Sequence, residues 1–141
     1  MIILDTNVVS EMMQPQPDSV VRDWLDAQPD ETLWLTSVTV SEITCGIELL
    51  PNGERKTGLA DAFNELLLND FDSRVLAFDD QHARRAGEIF AGLRSQGQNP
   101  EYRDIQIAGI VAAFNAVLAS RNAKHFSGMG VKLINPWKFQ P

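Results

Sequence analysis

The 141-residue chain has a single cysteine, Cys45. A lone thiol excludes an internal disulfide framework, and the flanking Ile43-Thr44-Cys45-Gly46-Ile47 predicts a packing position on a buried helix face. No apolar run approaches the roughly 18 residues that a membrane span needs. The opening Met1-Ile2-Ile3-Leu4-Asp5 has neither a basic n-region nor a long apolar h-region, so a soluble, cytoplasmic chain is expected. Basic residues are also scarce: 12 Lys and Arg against 19 Asp and Glu give a net charge of −7. A general nucleic-acid binder needs a basic footprint to displace counterions. The balance instead suits a metal enzyme with an acidic centre, a protein with a basic partner, or both. There are no repeats, no low-complexity tracts and no Walker lysine motif, and Gly128-Met129-Gly130 lacks the context of a phosphate-binding fingerprint.

What is present is 44% hydrophobic residues, and a chain of this length buries roughly 68–70% of its extended surface. Residues 1–141 are expected to form one domain. Ile2–Leu4, wholly apolar and ending in Asp5, predicts a strand buried on both faces. Further strands are expected at Leu33–Thr36, Val75–Phe78, Val117–Ser120 and Val131–Ile134. Helical spacing predicts helices over Asn7–Met13, Asp18–Ala27, Thr39–Leu50, Gly58–Asn69, from Asp79 or Asp80 to about Ser95, and from Asp104 to about Asn115. Strands alternating with helices imply an α/β fold, a three-layer α/β/α sandwich around a central parallel sheet. Ligands of such sheets gather beyond the carboxyl ends of the strands.

Three acids fall near that edge. Asp5 follows the first strand, although an N-cap before Thr6 and Asn7 explains it as well. Thr39-Val40-Ser41-Glu42 fits a capping box, in which Glu42 only returns a hydrogen bond. Asp104 opens a helix whose dipole favours an acid. Taken together, three separated helix starts converge on one sheet edge. Clustered carboxylates repel unless a cation sits among them, and Mg²⁺ takes oxygen ligands and bridges to phosphate.

These pieces resemble the PIN-domain family, specifically toxins of the VapC and FitB type. The resemblance is carried by Ile3-Leu4-Asp5-Thr6-Asn7, Ser37-Val38-Thr39-Val40-Ser41-Glu42-Ile43 and Arg103-Asp104-Ile105-Gln106-Ile107-Ala108. Leu118-Ala119-Ser120-Arg121-Asn122 and Ile134-Asn135-Pro136-Trp137 complete it, so that it spans essentially the whole chain. It implies a Mg²⁺-dependent endoribonuclease, with Mn²⁺ as a substitute, that acts as the toxin of a toxin–antitoxin pair. It further implies a homodimer, inhibited by a cognate antitoxin in a hetero-oligomer. Asp5, Glu42 and Asp104 become catalytic metal ligands, Thr6 supports the first, and Ser120 and Asn122 line the same pocket, with Asn122 in the metal shell. Two positions depart from the pattern. Asn122 stands where related toxins often carry an acid, and His125 where many have Asp, which leaves three carboxylates. An acidic toxin invites an antitoxin with a basic C-terminal segment, and Met12, Met13, Val21 and Trp24 are the expected dimer surface.

Other features carry less. Asp79 and Asp80 fit a cap and a first-turn acid, and His82 and His125 are expected at the surface. With no third His and no nearby Cys, zinc has no support. Among the arginines, Arg121 is the first choice for RNA phosphate, being flanked by two pocket residues. A haloacid-dehalogenase-like phosphatase would need a second acid two residues after Asp5, where Asn7 stands. A receiver domain would need an acid pair there. A catalytically inactive PIN-like binding module stays open at this point.

Overall fold

The structure, a computed structural model, describes residues 1–141. Five strands form one all-parallel sheet in the order β3-β2-β1-β4-β5: β1 Ile2–Leu4, β2 Leu33–Thr36, β3 Val75–Leu76, β4 Val117–Ala119 and β5 Lys132–Ile134. Six helices connect them: α1 Thr6–Met12, α2 Ser19–Asp26, α3 Ser37–Glu48, α4 Glu54–Glu65, α5 Asp80–Ser95 and α6 Tyr102–Ala113. The expected α/β/α sandwich is therefore present. No helix is long and apolar enough to cross a membrane.

Period-two alternation along the strands explains the layers. Ile3 and Leu118 face one core with Ile105, Ile107 and Ile110 of α6 and Leu93 of α5. The next residue of each strand, Leu4 and Ala119, faces the opposite core, as do Leu33 and Leu35. That second core is closed by Val8 and Val9 of α1, Val21 and Trp24 of α2, Ile43 and Ile47 of α3 and Phe63 of α4. β1 lies at the centre, so Ile3 and Leu4 have no exposed surface. The chain passes from β1 to β2 on one side, while β4 pairs on the other. The strand order thus switches between β1 and β4, which is where parallel sheets open a crevice.

Several expectations shift in detail. α3 begins at Ser37, not Thr39, because the Thr36 hydroxyl accepts from the Thr39 N–H at 3.1 Å and caps the helix. Glu42 therefore lies in the second turn, so no capping box forms and its carboxylate is free for other work. α4 starts four residues earlier than expected and ends in a wider turn over Leu66–Asp70. Cys45 is exposed, since the buried stripe of α3 runs Val38, Thr39, Ile43 and Ile47 and leaves Cys45 on the other side. Val21 and Trp24 are each only 1% exposed and cannot form a dimer surface, because the polar face of α2 turns outward and its apolar face fills the second core.

His82 is buried rather than exposed. It completes a reciprocal cap with Asp79 at the start of α5, and its Nδ1 lies 2.8 Å from the Ala77 carbonyl. The close crossing of α5 and α6 that encloses it depends on Gly109. A Cβ there would lie 2.6 Å from the His82 carbonyl oxygen and 2.9 Å from the Ala86 Cβ. Backbone cannot yield as a flexible side chain can, so Gly109→Ala is expected to destabilise the protein by about 1–3 kcal/mol, the usual range for overpacking. Chemical denaturation checks it; a variant as stable as the parent would mean the helices separate freely.

Candidate active site

At the carboxyl edge of β1 the chain leaves the sheet through Asp5, whose N–H donates to the Ala119 carbonyl at 2.9 Å. Asp5 is 6% exposed and caps α1 by accepting from the Thr6 N–H at 2.8 Å. Its second oxygen, Oδ2, accepts from the Ser120 hydroxyl at 2.6 Å and from the Asn7 amide at 3.2 Å. Ser120 follows β4, the neighbouring strand, and its oxygen also accepts from the Asn122 N–H at 3.0 Å. Two adjacent strand ends thus fix one carboxylate.

Glu42 reaches the same place from α3 and Asp104 from the first turn of α6. All three acids line one cavity of about 550 Å³, together with Thr6, Asn7, Arg103, Arg121, Asn122, His125 and Trp137. The expected convergence is present, although it arises from two helix starts and a second turn, not three starts. The Thr6 hydroxyl donates to Thr39 at 3.2 Å and also faces the Glu42 carboxylate. Arg103 Nη1 lies 3.3 Å from Glu42 Oε2, and His125 Nδ1 lies 3.5 Å from Asp104 Oδ2.

The acids are crowded and poorly solvated. Burial raises the pKa of Asp5, against hydrogen bonds from Ser120, Thr6 and Asn7 that lower it. Burial likewise raises Glu42, opposed chiefly by Arg103. Asp104 is pushed up to about 6, first by burial and then by the charge of Asp5, with His125 opposing. No three Asp, Glu, His or Cys side chains stand close enough to grip a metal ion as they are. The donor chemistry still fits a hard divalent cation. Oxygen groups ring an open, polar cavity whose negative charges lack full compensation, and Mg²⁺ fills missing positions with water.

Each sequence-derived position lies at this edge. Asp5, Thr6, Glu42, Asp104, Arg121 and Asn122 line the cavity, and Ser120 is buried behind Asp5. His125, expected as an ordinary surface residue, is exposed but belongs to the wall, because the short turn Ala123–Phe126 folds back over α6. Two participants carried no assignment from sequence. Asn7 bridges Asp5, Ser120 and the Arg121 N–H. Trp137 contributes the cavity's one hydrophobic side chain. The signal for Asn7 was its place in the turn after Asp5; that for Trp137 was the Asn-Pro pair, which caps a turn.

A carboxyl with a raised native pKa binds a proton in the folded state that the unfolded chain has already lost. Between pH 3.8 and about 6, stability therefore falls as pH rises through Asp104. In ion-free protein, Asp104→Asn is expected to raise the melting temperature at pH 7.5, and the gain to shrink towards pH 4. Thermal melts across that range check it; a variant less stable than the parent at pH 7.5 would contradict the crowding.

Comparison with known proteins agrees with this geometry. The PIN domain profile matches residues 2–131. The chain is 41% identical to the plasmid stability protein StbB of Pseudomonas syringae pv. tomato, over 98% of this chain and 99% of that one. It is 36% identical to the VapC ribonuclease Y4jK of Sinorhizobium fredii, with the same coverage. It is 34% identical to the toxin FitB of Neisseria gonorrhoeae, over 97% and 99% of the two chains. Among solved structures, FitAB bound to an IR36 DNA fragment superposes with a TM-score of 0.89 at 33% identity, covering 100% of this chain and 99% of that one. The chain belongs to the PIN-domain family.

Proposed function

We propose that residues 1–141 act as a single nuclease domain, an endoribonuclease that is the toxin of a toxin–antitoxin pair. The observation that carries this is the cavity in which Asp5, Glu42 and Asp104, drawn from three separate elements, meet at the strand-order switch. The names of the relatives support it: one is a ribonuclease and one a toxin.

Mg²⁺, with Mn²⁺ as a substitute, is the ion the oxygen donors suit, supplying a Lewis acid for phosphodiester hydrolysis and a bound water of lowered pKa. Asp5 and Asp104 would be its principal protein ligands, and Glu42 would complete the shell or steer the attacking water. Asn122, which lines the same cavity, would add an uncharged amide oxygen to the shell. Ser120 and Asn7 hold Asp5 in one rotamer, and Thr6 orients Glu42. Arg103 partly neutralises Glu42. A haloacid-dehalogenase-like phosphatase has no support, since Asn7 is spent on binding Asp5 and cannot act as an acid.

The same negative cavity suits a basic inhibitor. We assign as partner a cognate antitoxin with a basic C-terminal segment, in a hetero-oligomer built on a toxin homodimer. Its dimer face excludes Val21 and Trp24.

Purified chain, freed of inhibitor, is expected to cut RNA with Mg²⁺ or Mn²⁺ and to stop with a chelator. Asp5→Asn and Asp104→Asn should each slow cleavage by more than about 100-fold, because losing even a group that only orients a metal ligand costs about 10–100-fold. Timed cleavage of labelled RNA checks it. An inactive binding module would show no cleavage by the parent, and equal rates in parent and variants would remove these carboxylates from the chemistry.

A further inference from the structure

Two arginines line the carboxylate cavity, and they differ. Arg103 is paired with Glu42 at 3.3 Å. Arg121 forms no ion pair with any carboxylate of the chain, and none of its side-chain N–H groups has a protein acceptor. Its guanidinium carbon instead lies 5.1 Å from the centre of the Trp137 ring. A cation beside crowded acids would ordinarily fold onto one of them; this one lies over the Trp137 ring instead.

The support beneath it is firm. Trp137 sits in a short turn, Pro136–Lys138, whose N-terminus is capped by Asn135 Oδ1 accepting from the Trp137 N–H at 3.0 Å. That turn packs against α2, and Trp137 itself leans on the second core. From the other side, the Arg121 N–H donates to Asn7 Oδ1 at 3.2 Å, and the amide of Asn7 donates to Asp5 Oδ2. One side chain therefore fixes both the carboxylate and the backbone that carries Arg121.

A planar guanidinium set over an aromatic ring can still offer its plane to a base and its N–H groups to a phosphate oxygen. We infer that Arg121, backed by Trp137, is a nucleotide subsite at the mouth of the cavity, which takes an unpaired base of single-stranded RNA beside the scissile phosphate. This rests on the nuclease assignment of the same cavity. The guanidinium edge binds the adjoining phosphate, which places the next phosphodiester over the carboxylates. Stacking accepts any base, so the subsite selects for unpaired RNA more than for sequence. It also supplies a cation for the substrate in an otherwise acidic chain.

The test uses a single-stranded oligoribonucleotide carrying 2-aminopurine at successive positions. Cleavage by Arg121→Ala should show KM raised about 5- to 150-fold, the span of one lost base stack, with kcat changed far less. Arg121→Lys keeps the charge but loses the plane, and should recover only part of the loss. Trp137→Leu should raise KM, and Trp137→Phe, which keeps an aromatic face, should raise it less. On Asp104→Asn protein, which spares the RNA, one 2-aminopurine position should be quenched, and adding Arg121→Ala should abolish the quench. The proposal is overturned if Arg121→Ala keeps the parent's KM and quench, or if fully duplexed RNA is cut with an equal KM. Failure of the nuclease assignment is separate: there the parent does not cut, or Asp104→Asn cuts as fast, and the quench with and without Arg121 still decides the subsite.

Discussion

Carboxylates lose stability when water is taken from them, and here the packing of the sheet takes it. Asp5 ends the central strand between two paired neighbours, its backbone held by the N–H bond to Ala119, and its carboxylate cannot turn outward without losing the bonds from Ser120 and Asn7. α3 and α6 close in from the two layers because their apolar stripes must reach opposite cores. That packing carries Glu42 and Asp104 to the same point. The repulsion is a consequence of where the cores lie, and nearby Arg103 and His125 relieve only part of it.

The rest of the edge serves to hold this unfavourable charge in place. Ser120, Thr6 and Asn7 all donate to Asp5, which favours its ionised form against burial. Thr36 and Thr39 fix the start of α3 and so the depth of Glu42. Pre-formed hydrogen bonds spare the site from reorganising when a cation binds, the usual benefit of an ordered surrounding shell. In a protein with net charge −7, the cations at this edge are placed locally, Arg103 against Glu42 and Arg121 over Trp137.

β1 and β4 are readable because each is short, apolar and followed by a polar residue; β5 is legible from Val131–Ile134 although Lys132 interrupts the run, and β3 ends at Leu76, two residues before the expected Phe78. The acids at the switch point followed from strand ends and from the family motifs, since Asp5 and Asp104 sit where chain direction alone places them. What sequence blurred was competition among local signals. Thr39-Val40-Ser41-Glu42 imitates a capping box, yet Thr36, buried at the end of β2, takes the cap. His82 looked polar and therefore external, but its Nδ1 accepts from the Asp79 N–H at the start of α5, inside the α5–α6 crossing that Gly109 permits. Trp24 looked available for a partner because helical spacing does not say which apolar face meets its own core. Asn7 was legible only as an absence of acid; its bridging role needs Ser120, 113 residues away in sequence.

If burial and mutual repulsion hold a proton on Asp104 that a divalent cation displaces, binding and proton release are one event. Calorimetric titration of the protein with Mn²⁺ in two buffers of different ionisation enthalpy reads that proton directly. With Asp104 titrating near 6, about half a proton should leave that carboxyl per ion bound at pH 6, with release falling towards zero at pH 7.5. Asp104→Asn should lose most of the release at pH 6. Mn²⁺ binding with no buffer dependence at pH 6, or the same release from Asp104→Asn, would contradict a cation site built on these crowded carboxylates.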